Sequence, residues 1–350
     1  MTVTIPYSQK YTDLLSERVG GKALACSDEW FAECANLVKH DDPVFKEGHF
    51  VSTGQWMDGW ESRRSFGRAD RTTAGVDYDW CVLRLGIPGV IHGVDVETTH
   101  FRGNAPEFVA LEGTWADGDV GEDTSWFELL PKSPTTAHDH NNFDIDTNKP
   151  CTHLHLKIYP DGGVSRLRAY GTAKVKPGDY VDGELVDLAS VMLGGRGLLC
   201  SDMYYSSPSN LLMPYPGINM GDGWETKRRR DEANDWSIIK LGLRGNIRKV
   251  IVDTAHFKGN FPDSFSLEAT DAESEDLAAT DINWQPVIAR SPLHADQAHL
   301  FIKQILVAPD QLFTHVRLNI YPDGGVSRLR IFGFPNWAEL PAEQGAEDES

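Results

Sequence analysis

The sequence has too little positive charge and too few long apolar runs for a protein that binds nucleic acid or spans a membrane. Its 350 residues include 33 Lys and Arg against 52 Asp and Glu, a formal net charge of −19. Such a charge repels phosphate backbones and anionic lipid surfaces. No apolar run approaches the roughly 20 residues that a membrane-spanning helix needs. We therefore expect neither nucleic acid nor a membrane among its partners.

Cysteine is also scarce, with five residues that are scattered along the chain. Only Cys26 and Cys200 occupy equivalent positions of the internal repeat described below, so no repeated disulfide or Cys-metal framework is indicated. We expect buried free thiols. The N-terminal residues lack the basic start, apolar stretch and cleavage site of a signal peptide, which predicts a cytoplasmic location.

Several catalytic signatures are missing as well. The sequence contains no nucleophile elbow, no phosphate-binding glycine loop and no dinucleotide fingerprint. Enzymes that depend on these motifs are therefore disfavoured, and any site must be assembled from other residues.

What the sequence does contain is an internal duplication. Residues 158–168 and 320–330 both read IYPDGGVSRLR, and around them DWCVLRLG (79–86) aligns with DWSIIKLG (235–242) and THFRGNAP (99–106) with AHFKGNFP (255–262). Two repeats suit a chain of this length, which is long for one hydrophobic core. We expect a first repeat over 1–171, a linker over 172–190, a second repeat over 191–339 and an acidic mobile tail over 340–350.

Short alternating segments predict that both repeats are all-β. In the first repeat, apolar and polar residues alternate over 80–86, 90–101, 108–114, 154–159 and 165–170, with Gly, Pro, Asn and Asp clusters between them. Each repeat is therefore expected to be an antiparallel jelly-roll β-sandwich. The one helical pattern covers residues 30–38, behind Ser27 and Asp28 as capping residues.

The first recurring group of polar residues is DGWESRR, which returns as DGWETKR. Glu61 and Arg64 of the first copy correspond to Glu225 and Arg228 of the second. A carboxyl group beside an arginine suits proton transfer by the carboxyl group and anion binding by the guanidinium. The alternative is a turn with a buried Trp and a Glu–Arg ion pair that holds a loop.

The second group is HFxGN, in which His100 and Asn104 recur as His256 and Asn260. Each His ends a strand face that is otherwise apolar, so it is either a histidine at the edge of the core or a proton-transfer group. The Asn amide suits the backbone of a turn or a ligand.

The third group is SRLR, the end of the duplicated string. Alternation places Arg166 opposite Leu167, and likewise Arg328 opposite Leu329, so that inward leucines predict outward arginines. Outward guanidinium groups suit bidentate binding of a carboxylate. The alternative is that these arginines are solvated or lie at a domain interface.

Two His-x-His pairs could place imidazoles on neighbouring strands. The candidate metal ligands are His138, His140, His153 and His155. The pattern is not repeated, because His155 aligns with Arg317. A divalent metal therefore stays open as a cofactor, and the sequence indicates no other.

Taken together, the blocks SDEWF, DGWESRR, DWCVLRLG, THFRGN and THLHLKIYPDGGVSRLR with their second copies resemble the allantoicase (allantoate amidinohydrolase) family. The resemblance implies two galactose-binding-like jelly-roll domains and hydrolysis of allantoate to ureidoglycolate and urea in purine catabolism. It also implies a homo-oligomer. The competing interpretations are a noncatalytic tandem β-sandwich that binds a small polar ligand, and a ureide hydrolase with another substrate.

For allantoate, a small anion with two ureido groups, the site must bind a carboxylate and move protons. The expected catalytic residues are Glu61, His100, Glu225 and His256. The expected substrate-binding residues are Asp28, Arg64, Asn104, Arg166, Asp202, Arg228, Asn260 and Arg328. For the two Asp residues, helix capping is the alternative. The sequence leaves open whether the site lies within either repeat or between them.

Overall fold

Extended strands and turns make up nearly all of the protein, as the alternating sequence pattern predicts. The computed structural model describes residues 6–64, 76–181, 183–273, 277 and 282–340. These residues divide into two compact units, residues 1–174 and 175–350. Within the described residues, no helix is long and apolar enough to cross a membrane. The prediction of an all-β chain of two tandem jelly-roll repeats is confirmed.

The first unit is built on one large antiparallel sheet that folds over itself. Its strands are β1 (Thr12–Asp13), β2 (Lys22–Cys26), β3 (Phe50–Val51), β4 (Gly54–Gln55), β5 (Trp60–Glu61), β6 (Asp79–Glu97), β7 (Phe108–Thr114), β8 (Phe127–Pro134), β9 (His140–Asp144), β10 (Cys151–Tyr159), β11 (Gly163–Val164) and β12 (Arg166–Ala173). The short helices are α1 (Tyr7–Lys10) and the 3-10 turns Glu17–Val19 and Cys34–Val38. The main sheet has the order β1-β12-β6-β10-β7-β8, with β2 and β9 also paired to β6.

The long strand β6 explains how one sheet makes two layers. Its first half pairs with β2 and β10, and its second half pairs with β12 and β9. Leu83 in the first half and Val94 in the second are both fully buried. The strand therefore carries the chain from one layer of the sandwich to the other, with the core between them.

The second unit repeats this plan with the long strand divided in two. Its strands are β13 (Val186–Asp187), β14 (Arg196–Cys200), β15 (Trp224–Glu225), β16 (Asp235–Gly245), β17 (Lys249–Asp253), β18 (Ser264–Thr270), β19 (Gln285–Pro292), β20 (Ala298–Phe301), β21 (Phe313–Tyr321), β22 (Gly325–Val326) and β23 (Arg328–Gly333). The 3-10 turns are Pro177–Asp179, Val191–Leu193, Pro208–Leu212, Met220–Asp222 and Trp337–Glu339. The two layers are β14-β16-β21-β18-β19 and β13-β23-β17-β20.

The helix predicted over residues 30–38 is largely wrong. Only Cys34–Val38 is helical, as a 3-10 turn that starts after Glu33 rather than after Asp28. The Asp28 carboxylate instead binds Arg63, as described below, and so does not cap this turn. The expected linker 172–190 begins inside β12 and includes β13, which pairs with β23 of the second unit. All but the first residue of the expected tail lies outside the described residues.

The duplicated string IYPDGGVSRLR has a packing role that explains part of its identity in both repeats. Gly162 adopts a positive φ of 135°, a conformation that favours glycine. A Cβ on Gly163 would lie 2.1 Å from the buried ring of Phe101, and one on Gly325 would lie 1.9 Å from Phe257. Each repeat therefore needs glycine where the string passes beneath the aromatic ring of its HFxGN turn.

Candidate active site

The strand pair β5–β11 holds the first predicted acid in place. Trp60 is fully buried, and its Nε1 donates a hydrogen bond to the carbonyl oxygen of Asp28 at 2.8 Å. The next residue, Glu61, donates its backbone N–H to the Ala32 carbonyl at 3.1 Å. The recurring Trp-Glu dipeptide therefore uses its Trp as an anchor, which leaves the neighbouring carboxylate at the edge of the sandwich.

Glu61, Asn104 and Arg64 come together at this edge. The Asn104 Nδ2 donates to Glu61 Oε1 at 2.7 Å. Arg64 donates through Nη2 to the carbonyl oxygen of Gly103, the residue next to Asn104, and its guanidinium is exposed. Beneath them lies a small buried apolar cluster that contains Met57 and Phe101. The structure thus unites members of the first two sequence motifs, although 39 residues separate Arg64 from Gly103.

The surroundings of Glu61 favour its protonated form. Burial raises the pKa of its carboxyl above the usual range, because an ionised carboxylate loses hydration there. The hydrogen bond from Asn104 and the charge of Arg64 oppose this rise and lower the pKa in part. A carboxyl group balanced between these effects is suited to both giving and taking a proton.

The second repeat contains the same Glu–Asn pair. Asn260 Nδ2 donates to Glu225 Oε1 at 2.5 Å, and the Glu225 backbone N–H donates to the hydroxyl of Ser206. Trp224 is fully buried and donates through Nε1 to the Asp202 carbonyl oxygen at 2.9 Å. Arg228 follows Glu225 by three residues, as Arg64 follows Glu61, and is also exposed. We call these two sets, Glu61–Asn104–Arg64 and Glu225–Asn260–Arg228, the Glu–Asn–Arg groups.

The predicted histidines occupy an unusual backbone conformation in both repeats. His100 and His256 each have a φ of 74°, in the left-handed region that non-glycine residues rarely adopt. His100 Nε2 lies 3.1 Å from the Pro43 carbonyl oxygen, and His256 Nε2 lies 2.7 Å from that of Gly217. Because a carbonyl only accepts, Nε2 carries a proton in each ring, and Nδ1 is the acceptor atom of the neutral form. The same strained backbone conformation occurs at the equivalent His of both repeats, which favours a functional role for these turns.

Asp28 and Asp202 are held by basic side chains of the first motif. Asp28 Oδ1 accepts from Arg63 Nη2 at 2.6 Å and from Nε at 2.9 Å. Although burial opposes it, Arg63 holds the pKa of Asp28 below its usual range. Asp202 has a looser contact with Lys227, whose backbone N–H donates to Oδ1 at 2.9 Å and whose Nζ lies 3.4 Å from Oδ2. Sequence reasoning missed this pairing, although both basic residues lie within the recurring motif.

The expected outward orientation of Arg166 and Arg328 is wrong. Their exposed fractions are 1% and 3%. Arg166 donates to Asp58 Oδ2 at 2.8 Å, and to the carbonyl oxygens of Asp41 and Asp58 at 3.0 Å each. Arg328 makes the equivalent contacts to Asp222. The guanidinium hydrogen bonds are directed inward and hold the loop ahead of β5, a geometry that favours a structural role over carboxylate binding.

The four candidate metal histidines are each held by a different partner. His138 Nδ1 accepts the backbone N–H of His100 at 2.8 Å, whereas His140 Nδ1 lies 2.7 Å from Asp95. His153 Nδ1 lies 2.8 Å from the Thr152 hydroxyl. Among the residues that the structure describes, none of the four belongs to a group of three converging metal-ligand atoms. These candidates therefore do not form one metal site, because His140 lies opposite Glu97 at the end of β6, whereas His153 and His155 lie opposite its first half.

His155 instead lines a cavity of about 900 Å³ in the first repeat. Trp80 and Trp126 form part of its wall, and Glu112 binds both Lys157 Nζ at 2.6 Å and His155 Nδ1 at 3.1 Å. No member of the Glu–Asn–Arg group lines this cavity. The polar lining of this cavity is not repeated, because the equivalents of His155 and Lys157 in the second repeat are Arg317 and Asn319. We therefore favour the Glu–Asn–Arg groups, whose residue types and Glu–Asn hydrogen bond recur in both repeats.

The family model named Allantoicase repeat matches the chain twice, over residues 12–174 and 186–336. A relative named allantoicase, from Dictyostelium discoideum, is 44% identical over 332 residues, which are 93% of this chain and 87% of that protein. A probable allantoicase of Pseudomonas aeruginosa (strain UCBPP-PA14) is 44% identical over 330 residues, which cover 93% of this chain and 96% of the relative.

A solved structure agrees with the sequence comparisons. The crystal structure of an allantoicase from Saccharomyces cerevisiae has a TM-score of 0.77 to this chain at 34% identity. The likeness covers 93% of this chain and 94% of the yeast chain. Both repeats, in the same order, are therefore shared with these proteins.

Proposed function

The chain belongs to the allantoicase family, and from that premise we propose that its two Glu–Asn–Arg groups are the sites at which it hydrolyses allantoate. The family and the enzyme class predicted from the sequence are confirmed. The observation that carries the placement of the site is the Glu–Asn hydrogen bond, which recurs between the same two motifs in both repeats.

The reaction defines what such a site must supply. The bond between the central carbon of allantoate and one ureido nitrogen breaks. Water provides the hydroxyl that takes its place on the carbon and the proton that leaves with the nitrogen, so the products are ureidoglycolate and urea. A proton must therefore reach the departing nitrogen, and another must leave either water or the remaining ureido N–H.

In each repeat, the Glu moves these protons. Its carboxyl exchanges a proton with the reacting nitrogen or water, and Asn104 or Asn260 fixes which carboxylate oxygen faces the substrate. The exposed guanidinium of Arg64 or Arg228 binds the substrate carboxylate in two hydrogen bonds. His100 and His256 contribute Nδ1 as a hydrogen-bond acceptor for a ureido N–H.

The role of Asn104 predicts a shift in pH dependence. Its hydrogen bond stabilises the Glu61 carboxylate and lowers the pKa, so Asn104→Ala is expected to raise the pKa of Glu61. The limb of the pH–rate profile that Glu61 controls then moves to higher pH. The measurement is urea release against pH in a Glu225→Gln background, which isolates the first repeat.

The control for this shift is Asn142→Ala, which removes an exposed Asn and is expected to leave the profile unchanged. The assigned role of this hydrogen bond is contradicted if Asn104→Ala lowers the rate equally at every pH, or if it shifts the pH–rate profile to lower pH.

The role of Arg64 predicts a defect in substrate binding. In the same Glu225→Gln background, Arg64→Ala is expected to raise KM for allantoate by about 10–100-fold, because it removes a charged bidentate contact. The melting temperature should stay unchanged, since the side chain is exposed. Steady-state kinetics of urea release measure the effect.

Arg102→Ala is the matched control for Arg64→Ala, because it removes another exposed arginine from the neighbouring HFxGN turn. It should leave KM near the value of the background protein. Equal effects of the two substitutions would indicate a general loss of positive charge and would oppose a carboxylate-binding role for Arg64.

The activity itself is tested by incubating the purified protein with allantoate, with and without chelator, and following both products. Urea and ureidoglycolate are expected in equal amounts. Binding of allantoate without release of urea would instead support a noncatalytic binding module.

We also propose a homo-oligomer in the cytoplasm that has neither nucleic acid nor a membrane as a partner. The net charge of −19 supports the exclusion of anionic polymers and surfaces. Exposed apolar side chains of one loop, including Tyr204, Tyr215 and Ile218, support an association surface. Light scattering is expected to give a multiple of 38.9 kDa, and the mass of a single chain would contradict this state.

A further inference from the structure

A cluster of thiols and one carboxylate lies beside the first Glu–Asn–Arg group and has no part in the proposed mechanism. Cys26 on β2 lies directly opposite Cys81 on β6 in the antiparallel pairing. Cys34 begins the 3-10 turn Cys34–Val38, and its backbone N–H donates to Glu29 Oε2 at 3.0 Å. The chain thus turns back between Cys26 and Cys34 and places both thiols against the same strand pair.

The potential ligand atoms of this cluster converge. The Sγ atoms of Cys26 and Cys34 and a carboxylate oxygen of Glu29 all lie within 4.8 Å of one another. A tetrahedral zinc ion with sulfur at about 2.3 Å needs ligand atoms about 3.8 Å apart. The three ligands therefore need to draw together by at most about 1 Å, a movement that side-chain rotation supplies.

Burial and the neighbouring thiols both act on the pKa of the cysteines in this cluster. Hydrogen bonds from the thiols of Cys26 and Cys81 lower the pKa of Cys34, although burial opposes the change. The hydrogen bond to Cys34 and burial raise the pKa of Cys26 in turn. Metal binding itself displaces the protons from thiol ligands, so the proposed site depends on the convergence of the ligand atoms and not on these pKa values.

Access to the cluster is open on one side. Cys34 and Cys81 are buried, Cys26 is half-buried and Glu29 is exposed. A metal ion can therefore pass the exposed Glu29 carboxylate and reach the buried thiols.

The internal repeat provides a comparison within the same chain. At the equivalent positions of the second repeat, Glu29 is replaced by Met203, Cys34 by Pro208 and Cys81 by Ser237, whereas Cys26 is kept as Cys200. Two of the ligand-type residues that distinguish the first repeat, Glu29 and Cys34, thus converge with the retained Cys26 at one point in space. Unrelated substitutions on the same scaffold would not be expected to converge in this way.

We propose that Cys26, Cys34 and Glu29 bind one zinc ion or a similarly soft divalent metal, with Cys81 or water as the fourth ligand. Two thiolates and a carboxylate suit zinc, whereas magnesium, calcium and manganese prefer sites made of oxygen ligands. The site is separate from the histidines considered above. Bound metal would also brace the segment that leads to Ala32, whose backbone pairs with Glu61.

The test uses the full-length, reduced and chelator-treated protein under anaerobic conditions. Cobalt(II) is expected to bind in a one-to-one ratio and to give the intense near-ultraviolet absorption of thiolate-to-cobalt charge transfer. Zinc should displace the cobalt, remain bound against a chromophoric chelator and raise the melting temperature. Cys34→Ser should abolish the absorption band, and Glu29→Gln should weaken zinc binding by at least about tenfold.

Cys200→Ser is the matched control, because it removes the equivalent thiol where the other ligands are missing, and it should bind metal as the unchanged protein does. Glu29→Gln guards against misfolding of the cysteine variant, since Glu29 is exposed. The proposal is overturned if the reduced protein shows no charge-transfer band and retains no zinc. It is also overturned if Cys34→Ser and Glu29→Gln both bind zinc unchanged. Neither readout depends on hydrolysis of allantoate.

Discussion

The double variant Glu61→Gln/Glu225→Gln is expected to lose urea release by a factor of about 10²–10⁴, the usual contribution of general acid–base catalysis. The amide keeps the size of the carboxyl group and its oxygen still accepts the hydrogen bond from Asn104 or Asn260. It neither gives nor takes the proton that the reaction requires. The measurement is kcat for urea release at saturating allantoate.

The two single variants measure how much each repeat contributes to urea release. Because both repeats hold the same Glu–Asn pair, Glu61→Gln and Glu225→Gln should each leave about half of the activity per chain. Complete loss in one single variant with no effect in the other would contradict two equivalent sites. A double variant that remains folded and fully active would remove the Glu residues from the mechanism.

Arg166→Ala is expected to destabilise the first repeat by about 3–5 kcal/mol, because it leaves the Asp58 carboxylate buried without its main partner. Arg166 lowers the pKa of Asp58 in spite of burial, which shows that the pair favours the ionised acid. Lys39 Nζ, 3.2 Å from Asp58, still remains and places the expected loss toward the lower end of this range.

Calorimetry measures this loss, since it can separate the unfolding of one unit from that of the other. The control is Arg64→Ala, which should raise KM without lowering the melting temperature. If Arg166→Ala instead keeps its melting temperature and raises KM as much as Arg64→Ala does, then Arg166 binds substrate, as the sequence alone predicted.

The strands were predictable because their signals are local. The alternation over residues 108–114 coincides with β7, Phe108–Thr114, and the alternation over 165–170 lies almost wholly within β12, Arg166–Ala173. Helical spacing was misleading at residues 30–38, where the buried Cys34, Leu37 and Val38 belong to a single 3-10 turn. A short apolar pattern does not specify the length of a helix.

The orientation of Arg166 was not predictable, because it depends on a distant segment. Alternation along β12 correctly places Leu167 in the core, and with only one buried face Arg166 would lie in solvent. Residues 39–41 instead cover the other face, where the carbonyl oxygens of Lys39, His40 and Asp41 accept hydrogen bonds from Arg166 and Arg168. Burial of both faces follows from tertiary packing, which a strand pattern does not encode.

Each repeat is expected to contain its own allantoate site, and a calorimetric titration of the folded Glu61→Gln/Glu225→Gln variant with allantoate measures the number and affinity of these sites. We predict two allantoate molecules per chain, with the affinity of one site weakened by about 10–100-fold after the further substitution Arg64→Ala, and that of both sites weakened when Arg228→Ala is added. A single molecule per chain before the arginines are changed, or binding that neither arginine affects, would contradict a separate site in each repeat.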